Sequence, residues 1–285
     1  MTTTTTTDSA ATAAVEAATR ELHLPAIREH AVRLAAQAQR AKATYLGYLA
    51  DTLSVEVDDR GERRRRRLVH EARFPRIKRL ADFNFDAAPT INPATIATLA
   101  AGGYLDAGDP IVLIGDSGTG KTHLLIALGI AACEQGRRVR YATCAQLVNE
   151  LVEAADDRRV ARLIARYGRY DLLALDELGY VGLDARSAEL LFQTLTERDE
   201  RASVAVASNL SFSEWGSVIA DARLVAAVID RVTFNAHIIE TGTESYRLRT
   251  SRSRTRGQTS RSSATPTPRA RGGAKHVSTG GANPT

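Results

Sequence analysis

The feature that most constrains this 285-residue chain is a glycine-rich turn that directly follows a short apolar run. Residues 111–122 read IVLIGDSGTGKT, and their second part fits the pattern G-x-x-x-x-G-K-[ST]. The apolar run predicts a buried parallel strand, and a helix is predicted to begin at about Gly120. Glycines let the backbone wrap closely, so that its N–H groups and the positive end of the helix face one point. This geometry predicts a site for the phosphates of a nucleotide.

Eight residues form the predicted phosphate loop, and we expect all of them to contact ATP. They are Gly115, Asp116, Ser117, Gly118, Thr119, Gly120, Lys121 and Thr122. In this motif the lysine reaches the β- and γ-phosphates and the hydroxyl of the last residue ligates Mg²⁺. The alternative is a glycine-rich turn that matches by chance. The strand before it, the apolar helix after it and an acidic strand further along argue against that alternative.

The acidic strand carries the second half of the predicted site. Residues 171–175 read DLLAL and predict a buried strand that ends at Asp176 and Glu177. Two acids at the carboxyl end of an apolar strand, downstream of a phosphate loop, are typical of a Walker B pair. Asp176 is expected to hold the Mg²⁺ shell, and Glu177 is expected to orient and polarise an attacking water.

Two further polar residues are candidates for the same chemistry. A strand predicted over 203–207 is followed by Asn209, whose side chain would lie between the two motifs and sense the γ-phosphate. The alternative is a turn-capping asparagine. Arg231 ends a predicted helix and is a candidate arginine finger for the ATP site of a neighbouring subunit, with Arg223 as its rival. An intrachain salt bridge with Asp230 is the alternative for Arg231.

Basic charge is concentrated in two places. Residues 60–79 hold ten Lys or Arg residues, and the segment after residue 249 holds seven more and no Asp or Glu. Local patches of this kind predict a polyanion partner bound at defined places. We expect contact with the phosphates of duplex DNA, because the first patch has few aromatic residues for stacking on single strands. The alternative is a solvated helix surface or a flexible charged linker for the five consecutive arginines Arg63, Arg64, Arg65, Arg66 and Arg67.

Composition predicts four segments and a soluble protein. The threonine- and alanine-rich residues 1–13 and the basic tail 250–285 are expected to be disordered. Residues 14–80 predict a helical DNA-binding domain, and residues 81–249 an α/β ATPase domain. Cys133 and Cys144 form neither a metal set nor a disulfide framework. Since no apolar run spans a bilayer and the start lacks the features of a signal peptide, we expect no membrane partner and a cytoplasmic location.

Several motifs in one order resemble a known family. The segments GDSGTGKTHLLIALG, LLALDELGYVGLD, LLFQTLTER, SNLSFSEWG, AAVIDRV and GTESYRLR are similar to those of IstB-like ATP-binding proteins. These are helper ATPases of insertion-sequence transposition and belong to the initiator group of AAA+ ATPases. The resemblance covers about residues 20–250. The chain departs from many members of the family at Asp199, where they have tyrosine, and at Phe234, where they have histidine.

The resemblance implies an AAA+ fold of P-loop NTPase type, with a parallel five-stranded sheet in the order 5-1-4-3-2 between helices and a small all-α N-terminal domain. It also implies ATP hydrolysis and ATP-dependent self-assembly on duplex DNA. The implied partner is a DDE-type transposase, to which the helper delivers target DNA. By motif, Lys121, Asp176, Glu177, Asn209 and Arg231 are its implied catalytic residues.

Three other functions share part of this pattern. A replicative helicase loader of the DnaC type has the same ATPase motifs, and only the arginine-rich patches and the N-terminal LHLPAI segment favour the transposition helper. A small-molecule kinase usually needs an arginine-bearing lid, and no acceptor pocket is apparent here. A scaffold that binds ATP without hydrolysing it is disfavoured by the intact Lys121, Asp176 and Glu177.

Overall fold

The computed structural model describes residues 3–243, 245 and 246. Ten α-helices lie within these residues, and the tail expected from 250 to 285 lies outside them. The helices are α1 (Thr3–Glu21), α2 (Pro25–Arg40), α3 (Tyr45–Glu71), α4 (Pro93–Ala100), α5 (Gly103–Ala107), α6 (Lys121–Glu134), α7 (Cys144–Asp156), α8 (Val160–Tyr167), α9 (Ala185–Arg198) and α10 (Ala222–Thr233). Within the described part of the chain, no helix combines the length and apolar character needed to cross a bilayer.

Five parallel strands form one sheet, with the spatial order β2-β3-β4-β1-β5. The strands are β1 (Ile111–Ile114), β2 (Val139–Thr143), β3 (Leu172–Leu178), β4 (Ser203–Ser208) and β5 (His237–Glu240). Read from its other end, this order is the expected 5-1-4-3-2. The fold class expected from the resemblance is therefore confirmed.

The sheet is buried on both faces, as a parallel sheet flanked by helices must be. Alternate residues of a strand point to opposite faces, and β3 follows this rule. Leu172 and Ala174 belong to an apolar cluster on one face, whereas Leu173 and Leu175 belong to a cluster on the other. This two-sided burial explains why the strands read as continuous apolar runs rather than as alternating patterns.

The N-terminal part is helical, as predicted, but its helices begin earlier than expected. Residues 1–13 were expected to be disordered, whereas α1 begins at Thr3. The physical reason is the alanine content of its second half, because alanine has the highest helix propensity. The N-terminus of α2 is fixed by the buried Glu56 of α3, whose carboxylate accepts hydrogen bonds from the backbone N–H groups of Ala26 and Ile27 at 2.9 and 3.2 Å.

Helix α3 continues into the ATPase core, so packing does not stop at the boundary predicted at residue 80. Its last turns contribute Leu68 to the apolar cluster that also contains Ile111 of β1. Just after the helix, the carbonyl of Ala72 accepts a hydrogen bond from the N–H of Tyr141 at 2.8 Å. One continuous 27-residue helix therefore connects the N-terminal helices to the sheet.

Candidate functional site

The phosphate loop connects the carboxyl end of β1 to the start of α6, as the motif predicts. Three of its glycines have positive φ angles, which residues with a Cβ rarely adopt: 154° at Gly115, 87° at Gly118 and 105° at Gly120. A Cβ on Gly120 would lie 2.8 Å from Cε2 of Phe83. The loop thus leaves no room for larger side chains at its two ends, and the Phe83 ring packs directly against it.

Lys121 is buried at the first position of α6, and its ammonium group lies against the loop. Its Nζ donates hydrogen bonds to the carbonyl oxygens of Gly115 at 2.5 Å and Asp116 at 2.7 Å. Thr122, the next residue, is exposed. The lysine charge is therefore held at the loop, where the motif requires it.

The end of β5 is bonded to the phosphate loop, which sequence reasoning did not foresee. The hydroxyls of Thr119 and Thr241 share a hydrogen bond of 2.6 Å, although 122 positions separate them. The N–H of Asp116 donates to the carbonyl of Gly242 at 3.1 Å. These contacts tie the loop to the outer strand of the sheet and restrict its shape. The threonines follow no spacing pattern that could have indicated the pairing.

The acidic pair lies at a bulge near the end of β3. The register of β3 against β4 shifts between Leu175 and Leu178, and Glu177 has a φ angle of 60°. Because a bulge turns one side chain away from the regular alternation, Asp176 is buried while Glu177 is exposed. The two carboxylates therefore face different surroundings despite being neighbours in the chain.

Asp176 is held by two hydrogen bonds. The hydroxyl of Tyr141 donates to its Oδ2 at 2.8 Å, and the N–H of Glu177 donates to its Oδ1 at 2.9 Å. Burial, and then the Asp176 carboxylate, raise the pKa of Tyr141 above its ordinary value, so the hydroxyl stays protonated and remains a donor. Tyr141 was not among the predicted site residues. It lies on β2, beside β3, and only the strand order brings it to the acid.

Asn209 follows β4 directly and lies between the other two motifs. Ser208, its neighbour, is level with Ile114 of β1 on one side and with Leu178 of β3 on the other. The indole nitrogen of the fully buried Trp215 donates a hydrogen bond to the Ser208 hydroxyl at 3.2 Å and so fixes the end of β4, next to Asn209. The Oδ1 atom of Asn209 is buried and has no hydrogen-bond partner among the described residues.

The carboxyl edge of the sheet thus gathers five of the predicted side chains. They are Lys121, Thr122, Asp176, Glu177 and Asn209. The arrangement fits a Mg²⁺-nucleotide, because the loop is too close to its neighbours for a Cβ at Gly115 or Gly120 and Asn209 keeps a buried polar atom unsatisfied among the described residues. In the described part of the chain, no cluster of three acidic, histidine or cysteine side chains could hold a metal. Mg²⁺ does not need one, since one or two protein ligands and the substrate phosphates suffice.

Arg231 lies at the opposite edge of the sheet. It is in the last turn of α10, shortly before β5, and the N–H of His237 at the start of β5 bonds to the carbonyl of Pro110 just before β1. Strands of four residues separate the two edges by roughly 13 Å. Arg231 therefore cannot serve the phosphate loop of its own chain. It forms an ion pair with Asp199, not with Asp230 as the alternative proposed.

The arginine run lies on α3 with mostly exposed side chains. In the described structure, four of its arginines pair with carboxylates of their own helix: Arg63 with Asp59, Arg65 and Arg66 with Glu62, and Arg67 with Glu71. Arg64 is exposed and has no carboxylate within ion-pair distance among the described residues. Exposed pairs contribute only about 0–1 kcal/mol, so a phosphate can replace them.

Comparison with known proteins matches this chain to one family over most of its length. Residues 17–254 match the family described as IstB-like ATP binding protein. An insertion sequence ATP-binding protein of Sinorhizobium fredii is 36% identical over 230 residues, which are 80% of this chain and 77% of that protein. One from Geobacillus stearothermophilus is 32% identical over 231 residues, 81% and 92% of the two chains.

Solved structures are also similar, at lower identity. DnaI is 20% identical, with a TM-score of 0.47 over 61% of this chain and 93% of that chain. DnaA from Aquifex aeolicus is 23% identical, with a TM-score of 0.46 over 57% and 50%. With the phosphate loop, the acidic pair and the strand order in place, the match over residues 17–254 shows that this chain belongs to the IstB-like ATP-binding protein family.

Proposed function

We propose that this protein is an ATP-dependent DNA-binding helper of a DDE-type transposase. It binds and hydrolyses ATP, assembles on duplex DNA, and selects or delivers that DNA as a target. The observation that carries the proposal is the gathering of a lysine, a hydroxyl, two carboxylates and a buried amide oxygen at the carboxyl edge of one parallel sheet. In open parallel sheets this edge is where ligands bind.

The residues of this edge divide the ATPase chemistry among them. The loop N–H groups and Lys121 bind the phosphates. Thr122 and Asp176 would hold Mg²⁺, which would neutralise phosphate charge. Asn209 offers its side chain toward the γ-phosphate from β4. Glu177, exposed beyond the bulge, accepts a proton from the attacking water and aligns that water for displacement. The hydrogen bonds from the Tyr141 hydroxyl and the Glu177 N–H hold the Asp176 carboxylate in place.

Self-assembly follows from the position of Arg231. Because this arginine lies at the amino edge, it reaches an ATP site only when another copy stacks that site against it. An arginine supplied in this way stabilises the charge that develops on the transferred phosphoryl group. The subunits therefore assemble most firmly when ATP is bound. The relatives named for insertion sequences support the transposase as the partner that receives the DNA.

DNA contact is assigned to the exposed arginines of α3. Residues 60–79 hold ten Lys or Arg residues against Glu62 and Glu71. Releasing counterions from DNA phosphates provides a salt-dependent gain in binding free energy. The contact is to the backbone, so sequence preference is modest. Since Leu68 of α3 packs in the same apolar cluster as Ile111 of β1, the DNA-contacting helix is joined directly to the ATPase core.

The test is ATP hydrolysis with and without duplex DNA for the wild type, Glu177→Gln and Arg231→Ala. Assembly is followed by analytical ultracentrifugation and DNA binding by anisotropy. We expect DNA to stimulate turnover, Glu177→Gln to trap a large ATP–DNA assembly, and Arg231→Ala to abolish turnover and assembly. Turnover that ignores DNA, in a protein that stays monomeric with ATP, would refute the proposal and favour a helicase loader.

A further inference from the structure

The ion pair between Arg231 and Asp199 joins two elements that are far apart in the chain. Arg231 is in the last turn of α10, whereas Asp199 is the residue directly after α9. The arginine side chain is 34% exposed and the aspartate side chain 22%. The carboxylate is thus the deeper of the two groups, and the guanidinium lies nearer to solvent. The Asp199 carboxylate therefore pairs with the Arg231 guanidinium from the buried side, and the guanidinium stays accessible to solvent.

Asp199 stands on a firmly anchored part of the chain. Its neighbour Arg198 is 1% exposed, and its guanidinium donates three hydrogen bonds to backbone carbonyls. The acceptors are Tyr167 at 2.6 Å, Tyr170 at 2.9 Å and Ser203 at 2.7 Å. These bonds fix the end of α9 to the start of β4 and to the segment after α8. A carboxylate mounted beside such an anchor has a defined position.

An arginine that binds a phosphate across an interface binds it more favourably when its side chain is already restricted in the free subunit. A free arginine side chain samples many rotamers, and that freedom is lost when the side chain meets a phosphate. A partner that restricts it beforehand reduces this loss. The guanidinium has five N–H donors, and within the described part of the chain its hydrogen bond to Asp199 is made through Nη1. Donors therefore remain for an anion on the outer side.

We propose that Asp199 is a positioning residue for Arg231, which it holds at the amino edge in the orientation that a second copy of this chain needs for its ATP site. The proposal rests on the proposed function, because it takes Arg231 to act on the neighbour's nucleotide. The proposal adds Asp199 to the residues that serve the interface between two copies of the chain. It also explains why the carboxylate is less exposed than the guanidinium.

A mixing experiment separates the two chains that form one interface. The acceptor chain carries Arg231→Ala, so its ATP site is intact and it donates no arginine. The donor chain carries Lys121→Ala, so it donates Arg231 although its own site is defective. Each chain alone is expected to hydrolyse ATP poorly, and their mixture is expected to recover turnover. Asp199→Ala is then added either to the donor or to the acceptor.

We expect Asp199→Ala on the donor to lower the recovered turnover roughly tenfold, because a displaced catalytic group loses this much or more. The same change on the acceptor is expected to have little effect, since that chain has no Arg231 to hold. Asp199→Glu on the donor should restore part of the turnover. Asp157→Ala on the donor is the matched control, because Asp157 also pairs with an arginine, Arg159, but on the exposed connection between α7 and α8.

The outcomes distinguish the two proposals. If the mixture recovers no turnover, the arrangement of Arg231 in trans is wrong and the proposed function loses its mechanism. If the mixture recovers turnover but Asp199→Ala is harmless on the donor, or equally harmful on both chains, only the positioning role is wrong. Thermal melting of each variant before mixing identifies an effect of misfolding, which would lower turnover on either chain.

Discussion

Replacing Tyr141 with phenylalanine tests how the buried acid of the site is held, because the change removes a single hydroxyl. That hydroxyl is the donor to Oδ2 of Asp176 at 2.8 Å, in a side chain that is 7% exposed. Hydrogen bonds to charged groups contribute about 1.5–3 kcal/mol. We expect the free energy of unfolding to fall by about this amount. In a domain of this size the melting temperature should fall by roughly 3–12 °C.

The matched control is Tyr104→Phe. Tyr104 is also buried, at 4% exposed, and lies in the same apolar cluster, but its hydroxyl has no hydrogen-bond partner among the described residues. Removing an unsatisfied buried hydroxyl costs nothing or stabilises the protein. We therefore expect Tyr104→Phe to change the free energy of unfolding by less than about 0.5 kcal/mol, or to raise it.

Guanidinium unfolding followed by circular dichroism measures both variants, and a double-mutant cycle with Asp176→Asn isolates the bond. With a neutral amide as acceptor, the cost of Tyr141→Phe should drop to about 0.5–1.5 kcal/mol. The reasoning is refuted if Tyr141→Phe costs no more than Tyr104→Phe, or if its cost is the same with aspartate and asparagine at position 176.

Three further predictions concern the loop, the thiols and the anchor of α9. Gly115→Ala should abolish nucleotide binding measured by calorimetry, because Gly115 has a positive φ and its Cβ would lie 2.4 Å from the hydroxyl oxygen of Thr241. The control variant Gly182→Ala should bind nucleotide normally, because a Cβ at that position meets nothing within 4 Å. Burial raises the pKa of Cys133 and Cys144 from 9.0 to about 12, so native protein should resist thiol labelling at pH 8 until denaturant is added. The contribution of the two buried thiols to the free energy of unfolding is complete below pH 9 and is lost as the pH rises toward 12. Labelling of the native protein at the rate of a free thiol would contradict the burial of these cysteines. Arg198→Met removes three buried hydrogen bonds to backbone carbonyls and should lower the free energy of unfolding by about 3 kcal/mol or more in guanidinium. A loss below about 1 kcal/mol would show that those bonds contribute little.

Local patterns predicted the elements of the ATPase domain well. The strands expected over 111–114, 139–143 and 237–240 have the observed bounds, because buried parallel strands are short apolar runs with polar residues at their ends. The N-terminal helix was missed from Thr3 because a threonine-rich start was taken as a sign of disorder, although the alanines that follow favour a helix.

The sequence by itself determined that a phosphate loop, an acidic strand end and a polar residue after a later strand occur in one parallel sheet. Each of these signals is a short run whose chemistry depends on neighbours in the chain. Only the tertiary structure decided which distant groups support them. Tyr141 meets Asp176, Thr241 meets Thr119, and Arg231 meets Asp199 rather than Asp230. The reason is physical: strand order and helix packing set these contacts, and no spacing along the chain encodes a hydrogen bond between separate elements.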